Sequence, residues 1–202
     1  MLPLFPAFRL LKLLPLPMKR LVAALLLSCL MLVSLRAEML GPALEVTATA
    51  GWKSVEPLDP SQSPPPFPIL KYVPADGRNA AILLSLLPAN VPGHEVTDLG
   101  SLKRLNLLAS RPYLPGPDAN PTVTELKVPG GIGVLITSED PALVGKPVPP
   151  NEYRIATTAS VLLDGQYLIH ATLFYDELDS VEFKEGIKIL LSAGVHSANP
   201  PI

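Results

Sequence analysis

The apolar positions of this chain change period several times, and each change marks an element. Leu44–Thr49 alternates weakly and predicts a strand, after which come Gly51, Trp52 and Lys53–Glu56. Ile69–Val73 predicts another strand, and Asp76-Gly77-Arg78-Asn79 a turn. Ala80–Leu87 is almost continuously apolar, the pattern of a strand covered on both faces. A helical period follows. Thr97 or Asp98 caps it, Leu99, Leu102, Leu105 and Ala109 form its apolar face, and Lys103 and Arg104 its solvated side. That helix runs to about Ser110, before Pro112 and Pro115.

The second half is richer in strands. Thr122–Val128 alternates, with Leu126 and Val128 opposed to Glu125 and Lys127. Pro129-Gly130-Gly131 turns it into Gly133–Ser138; with no helix and no lysine after the glycines, hairpin chemistry explains them better than phosphate binding. Tyr153–Leu163 and Gln166–Tyr175 flank Asp164-Gly165, the signature of a type I′ hairpin. Asp179 and Glu182 have capping-box spacing, Phe183, Ile187, Leu190 and Leu191 share one helical face, and Gly194 suits the C-terminal cap. Runs of strands with two separated helices predict an α+β fold with a largely antiparallel sheet and a helix on each side.

Two stretches interrupt this pattern. Residues 57–68, "PLDPSQSPPPFP", hold six prolines among twelve residues, which no sheet ladder tolerates. They read as a stiff surface connection, partly polyproline II. Residues 139–151, "EDPALVGKPVPPN", form a proline-bearing loop long enough to be a place to look for a site.

The order of elements, the early strand ending in Ala50-Gly51-Trp52 and the hairpin strand "YLIHATLFY" at residues 167–175 resemble a PsbP-like domain over about residues 42–194. The resemblance implies an antiparallel sheet sandwiched by helices. It also implies the company of photosystem-assembly factors and of small exported bacterial proteins of unknown role. It places no ligand residues on this chain, and the proline-rich loop after Trp52 departs from the family pattern.

Charge and apolarity separate the N-terminus from the rest. Residues 1–37 carry five cations and no acid, whereas all 18 acidic residues and the other 11 Lys and Arg follow, a balance of 11 − 18 = −7. Such a body repels phosphate backbones, which argues against general nucleic-acid binding. Residues 21–35 are apolar apart from Ser28 and Ser34, short for a bilayer span and suited to the core of an export signal behind Lys19 and Arg20. Cleavage after Ala37 is expected, with Met18 as the true start, or Met1 with an extended leader. The sole cysteine, Cys29, follows Leu26-Leu27-Ser28 and roughly fits a lipidation site; a bland signal-peptide cysteine is the other reading. The expected domains are 1–37, extension and signal, and 38–202, one α+β domain.

Chemistry-bearing residues are sparse. His170 lies mid-strand with Leu168, Thr172 and Phe174 on its face, as a base or as a hydrogen-bonded core histidine. Glu139 and Asp140 are paired in sequence. Trp52, the single tryptophan, suits a binding platform or the sheet–helix core. His94 precedes Glu95 but lacks the partner that a zinc motif needs, and His196 is in the tail. Asp176, Glu177, Asp179 and Glu182 lack EF-hand spacing and suit a helix start. These features predict no cofactor and no metal. They predict an extracytoplasmic, periplasmic or secreted, non-enzymatic binding or scaffold module for a protein or small ligand, with Trp52, Glu139, Asp140 and His170 as candidate binding residues. The alternatives are an extracytoplasmic hydrolase or metal-dependent enzyme using His170 or the loop acids, and a structural envelope lipoprotein anchored at Cys29.

Overall fold

The computed structural model describes residues 37–40, 44–55, 69–91 and 95–195. The expectations placed on the leader and Cys29, on the proline-rich 57–68, and on His94 and His196 lie outside the described residues. A compact unit begins at Ala37.

Its strands are β1 (Ala37–Leu40), β2 (Leu44–Thr47), β3 (Trp52–Val55), β4 (Ile69–Pro74), β5 (Ala81–Pro88), β6 (Thr124–Val128), β7 (Gly131–Glu139), β8 (Ile155–Leu163), β9 (Tyr167–Tyr175) and β10 (Gly194–Val195). Helix α1 (Leu99–Ser110) stands between β5 and β6, and α2 (Val181–Leu191) between β9 and β10. Seven strands form one antiparallel sheet in the order β3-β4-β5-β9-β8-β7-β6, and β1-β2-β10 form a second, three-stranded one. The fold is therefore α+β, with one large antiparallel sheet and two helices.

Strand alternation sorts the side chains onto two faces. On the first, Ile82, Leu84, Ala171, Leu173, Ala159 and Val161 meet Ile189 and Leu190 of α2 and Leu44 and Val46 of β2. On the second, Val134, Leu162 and Leu168 meet Leu102 of α1. Both faces are thus covered, which is why β8 and β9 read as near-continuous apolar runs rather than as alternating ones.

Local chemistry explains the turns and caps. Asp164 and Gly165 both have positive φ, 50° and 67°, as a type I′ turn requires. The Asp98 carboxylate accepts from Ser101 N at 2.7 Å, and Ser101 Oγ accepts in return from the Asp98 backbone N–H at 3.1 Å. Gly186 lets α2 lie close on the sheet, because a Cβ there would stand 2.5 Å from Leu173 Cδ2.

Three expectations change. The cap of α2 is Ser180, whose hydroxyl accepts from Phe183 N at 3.3 Å, and not Asp179. Asp179 is in the left-handed region at φ 57°, so its backbone is part of the turn that aims the helix. Gly194 is not a helix cap either: Ser192 closes α2, and Gly194 starts β10 against Glu45 of β2. Strand β1 is an element the alternation does not predict, because its four residues are too short a run to show a period and gain their hydrogen bonds from β2.

Candidate functional site

The sequence-derived candidates fall in three separate places. Trp52 is only 7% exposed. It lies opposite Pro74 on the α2 face, and its Nε1 donates to Glu185 Oε2 at 2.8 Å. Arg78 completes that contact, reaching Glu182 Oε1 at 2.8 Å and Glu185 Oε2 at 3.4 Å. The tryptophan therefore ties β3 to α2 and presents no ring face to solvent.

His170 is half-buried on the α1 face, level with Ser85 of β5 and Ser160 of β8. Ser160 Oγ donates to Asn106 Oδ1 of α1 at 2.9 Å and lies 3.1 Å from His170 Nδ1. An amide oxygen cannot donate, so the one serine proton goes to Asn106 and the imidazole must supply the proton of the second bond. His170 is then the Nδ1–H tautomer, and the proton chain runs from His170 through Ser160 to Asn106, whose Nδ2 donates on to Thr158 O at 3.3 Å. That direction is opposite to a serine nucleophile's, which must give its proton to the histidine. Ser160 and Asn106 are both fully buried. Burial also lowers the His170 pKa from 6.5 to about 4, holding the ring neutral. The ladder pins the middle of α1 to the sheet.

The long loop expected to carry a site does border one. A cleft of about 590 Å³ opens at the end of the large sheet. Its floor is a cross-strand row of the α1 face: Ser138 of β7, Ala156 of β8 and Phe174 of β9. Ala156, between the other two, has the smallest side chain of the row. One wall is the 3-10 turn Arg111–Tyr113 and the following Leu114 and Pro115, the other the loop from Asp140 to Arg154.

Both walls are fastened. Ser138 Oγ donates to Tyr113 O at 2.7 Å. Arg154 holds the loop by donating from Nε to Leu143 O at 3.1 Å, from Nη2 to Lys146 O at 2.6 Å and from Nη1 to Asp176 O at 3.3 Å. Asp140 N donates to Arg154 O at 2.8 Å, closing the loop at its neck. The Asp140 carboxylate accepts from Ala142 N at 2.8 Å and shapes the first turn. Asn79 Nδ2 adds bonds to Glu152 O at 2.8 Å and Asp176 Oδ2 at 2.9 Å. Three rings cluster at the floor: Phe174 meets Tyr113 edge-on at 5.6 Å and stacks with Tyr153 at 5.2 Å. Burial, and secondarily the Asp176 carboxylate, raise the Tyr153 pKa, so its phenol stays neutral.

Of the sequence candidates, Asp140 lines this cleft. Glu139 is exposed at the end of β7, paired with Ile155 on the opposite face, so neighbours in sequence diverge in space. His170 is four residues before Phe174 on the same strand, roughly 13 Å away at the strand rise. Tyr113, Tyr153, Phe174 and Arg154 were missed as site residues. The available signal was three aromatics beside two proline-bearing loops, but nothing local says that the loops meet. Asp176, Glu177, Asp179 and Glu182 do not converge on one point. Among the described residues, no three His, Cys, Asp or Glu side chains gather in a way that could hold a metal ion. None of the described helices is long and apolar enough to cross a membrane.

No protein-family model matches the chain, and no curated protein is significantly similar to it.

Proposed function

We propose that this protein is an exported, non-enzymatic binding module of PsbP-like architecture, and that its ligand sits in the cleft over Ser138, Ala156 and Phe174. One observation carries the reading. The cleft is preformed, with aromatic rings at its floor and both walls fastened by side-chain hydrogen bonds to backbone carbonyls. Such concave, partly aromatic sites with a few placed polar groups suit small ligands, which fill hollows of roughly 300–1,000 Å³.

Further support comes from the polarity of the His170–Ser160–Asn106 ladder, which suits a structural role rather than acyl transfer. The large antiparallel sheet with a helix against each face is the arrangement expected of a PsbP-like domain. The compact unit begins at Ala37, at the expected boundary of the leader.

The test is a fragment screen by ligand-observed NMR on the full chain and on Ala156→Leu, which places a larger side chain on the floor. Hits that vanish in Ala156→Leu, with its melting temperature preserved, support the reading. Hits that persist unchanged in that variant, or no hits at all, refute it. The export half is tested by intact mass and N-terminal residue of the native protein from fractionated cells. A chain starting near Glu38 in the extracytoplasmic fraction agrees with it, whereas an uncut soluble chain overturns it.

A further inference from the structure

The charges around the cleft indicate what kind of ligand it takes, an argument that rests on the cleft being the binding site. One cation, Arg154, lines the cleft, and two more, Lys146 and Arg111, stand on the adjoining loop and turn without lining it. Arg154 donates to three carbonyls through Nε, Nη1 and Nη2. Lys146 Nζ donates to Ala142 O at 2.9 Å, and Arg111 Nη1 to Pro117 O at 2.6 Å. An anion entering the cleft would meet an arginine whose Nε, Nη1 and Nη2 each already donate to a backbone carbonyl, with two carboxylates beside it.

The acids are placed differently. Asp140 and Glu152 both line the cleft, and both are exposed. Asp140 uses Oδ1 on Ala142 N, while no hydrogen bond to the Glu152 carboxylate occurs among the described residues. Helix α1 also ends here. It closes at Ser110, and the turn that continues it supplies the Pro112–Pro115 wall. The rings of Tyr113, Tyr153 and Phe174 line the cleft as well, and aromatic rings attract cations within about 6 Å of their centres.

We propose that the cleft binds a small organic ammonium ion, an amine or quaternary ammonium, seated against the Tyr113, Tyr153 and Phe174 rings with its charge toward Asp140 and Glu152. The rings strip water from the alkyl groups around the nitrogen and replace it with π-density. The two carboxylates balance the charge at longer range without having to be dehydrated, because both remain at the solvent edge. The hollow is larger than an ammonium head alone, so a further part of the ligand lies along the proline-bearing wall.

The experiment uses three probes of one shape on the full-length protein: choline, its neutral carbon isostere 3,3-dimethylbutan-1-ol, and the anion 3,3-dimethylbutanoate. Affinities are measured by ligand-observed NMR titration. Choline is expected to bind about tenfold tighter than the neutral isostere, the span of a partly desolvated cation–π contact, with the anion weakest. The Asp140→Asn/Glu152→Gln double variant should lose most of that preference while keeping the neutral isostere's affinity. Tyr153→Ala, with folding checked by melting temperature, should weaken all binding.

Equal affinity of choline and its neutral isostere, both lost in Ala156→Leu, would overturn the ammonium assignment and leave the cleft as the site. The anion binding tightest would do the same. No binding by any probe, or binding indifferent to both Ala156→Leu and Tyr153→Ala, would overturn both readings. A lysine-containing peptide that binds while free choline does not would overturn the small-molecule assignment.

Discussion

His170 offers the sharpest quantitative test of the packing. In the folded protein its pKa is lowered from 6.5 to about 4 by burial. A base whose folded pKa is depressed binds fewer protons folded than unfolded between those two values. Its contribution to stability is therefore complete above about pH 6.5 and is lost as the pH falls toward 4. The interval corresponds, at about 1.36 kcal/mol per pH unit, to a ceiling of about 3 kcal/mol, of which about 2.5 kcal/mol is gone by pH 4.5.

The control is His170→Gln, which can still meet Ser160 but does not titrate in this range. Urea unfolding of both proteins between about pH 7.5 and 4.5 gives the two stability curves. Asp76, Asp98 and Glu182 have lowered pKa values, so the stability they lend is lost at more acidic pH and is common to both proteins. The difference between the curves isolates His170. Wild type should lose about 2 kcal/mol more than the variant across the range, the ring being half-buried rather than wholly dry. Parallel curves, or an imidazole that titrates near 6.5 by NMR in the folded protein, would refute the burial that holds the ring neutral.

Three further outcomes follow from the same contacts. Gly186→Ala should destabilise by about 1 kcal/mol in urea: the helix-propensity gain of about 1 kcal/mol is outweighed by overpacking against Leu173, which is 2% exposed. A more stable variant would mean that α2 has slack on the sheet. Arg154→Met removes two donors to loop carbonyls and one to Asp176 O and should cost roughly 1–3 kcal/mol, with amide exchange accelerating first at residues 141–152; uniform acceleration across the fold would deny the loop clamp. Asn106→Ala should cost about 2–4 kcal/mol, from a buried hole and the lost bonds to Ser160 and Thr158, and a double-mutant cycle with Ser160→Ala should show coupling above about 0.5 kcal/mol.

What the sequence determined by itself was everything carried by short-range periodicity. The Asp164–Gly165 hairpin, the two helices, the doubly covered strands and the α+β class all come from repeats of two or about 3.6 residues and from turn residues with fixed dihedral preferences. Apolar β8 and β9 required cover on both faces whatever the rest of the chain did. Local chemistry failed where two local solutions were equally good, as at Ser180 against Asp179, and where a strand was too short to declare itself, as at β1 and β10.

The tertiary structure decided which distant residues meet. Asn106, a polar residue of α1, is the buried end of a ladder from β9, because α1 lies across β7 and β8. Trp52 was consigned to the core by the arrival of Glu185 on α2. The cleft depends on two separate segments, residues 112–115 and 140–154, being brought to one end of the sheet, where the register of β7, β8 and β9 sets the floor. Pairing register is a property of strands together, so Ala156 next to Phe174 on the cleft floor is written in neither strand alone.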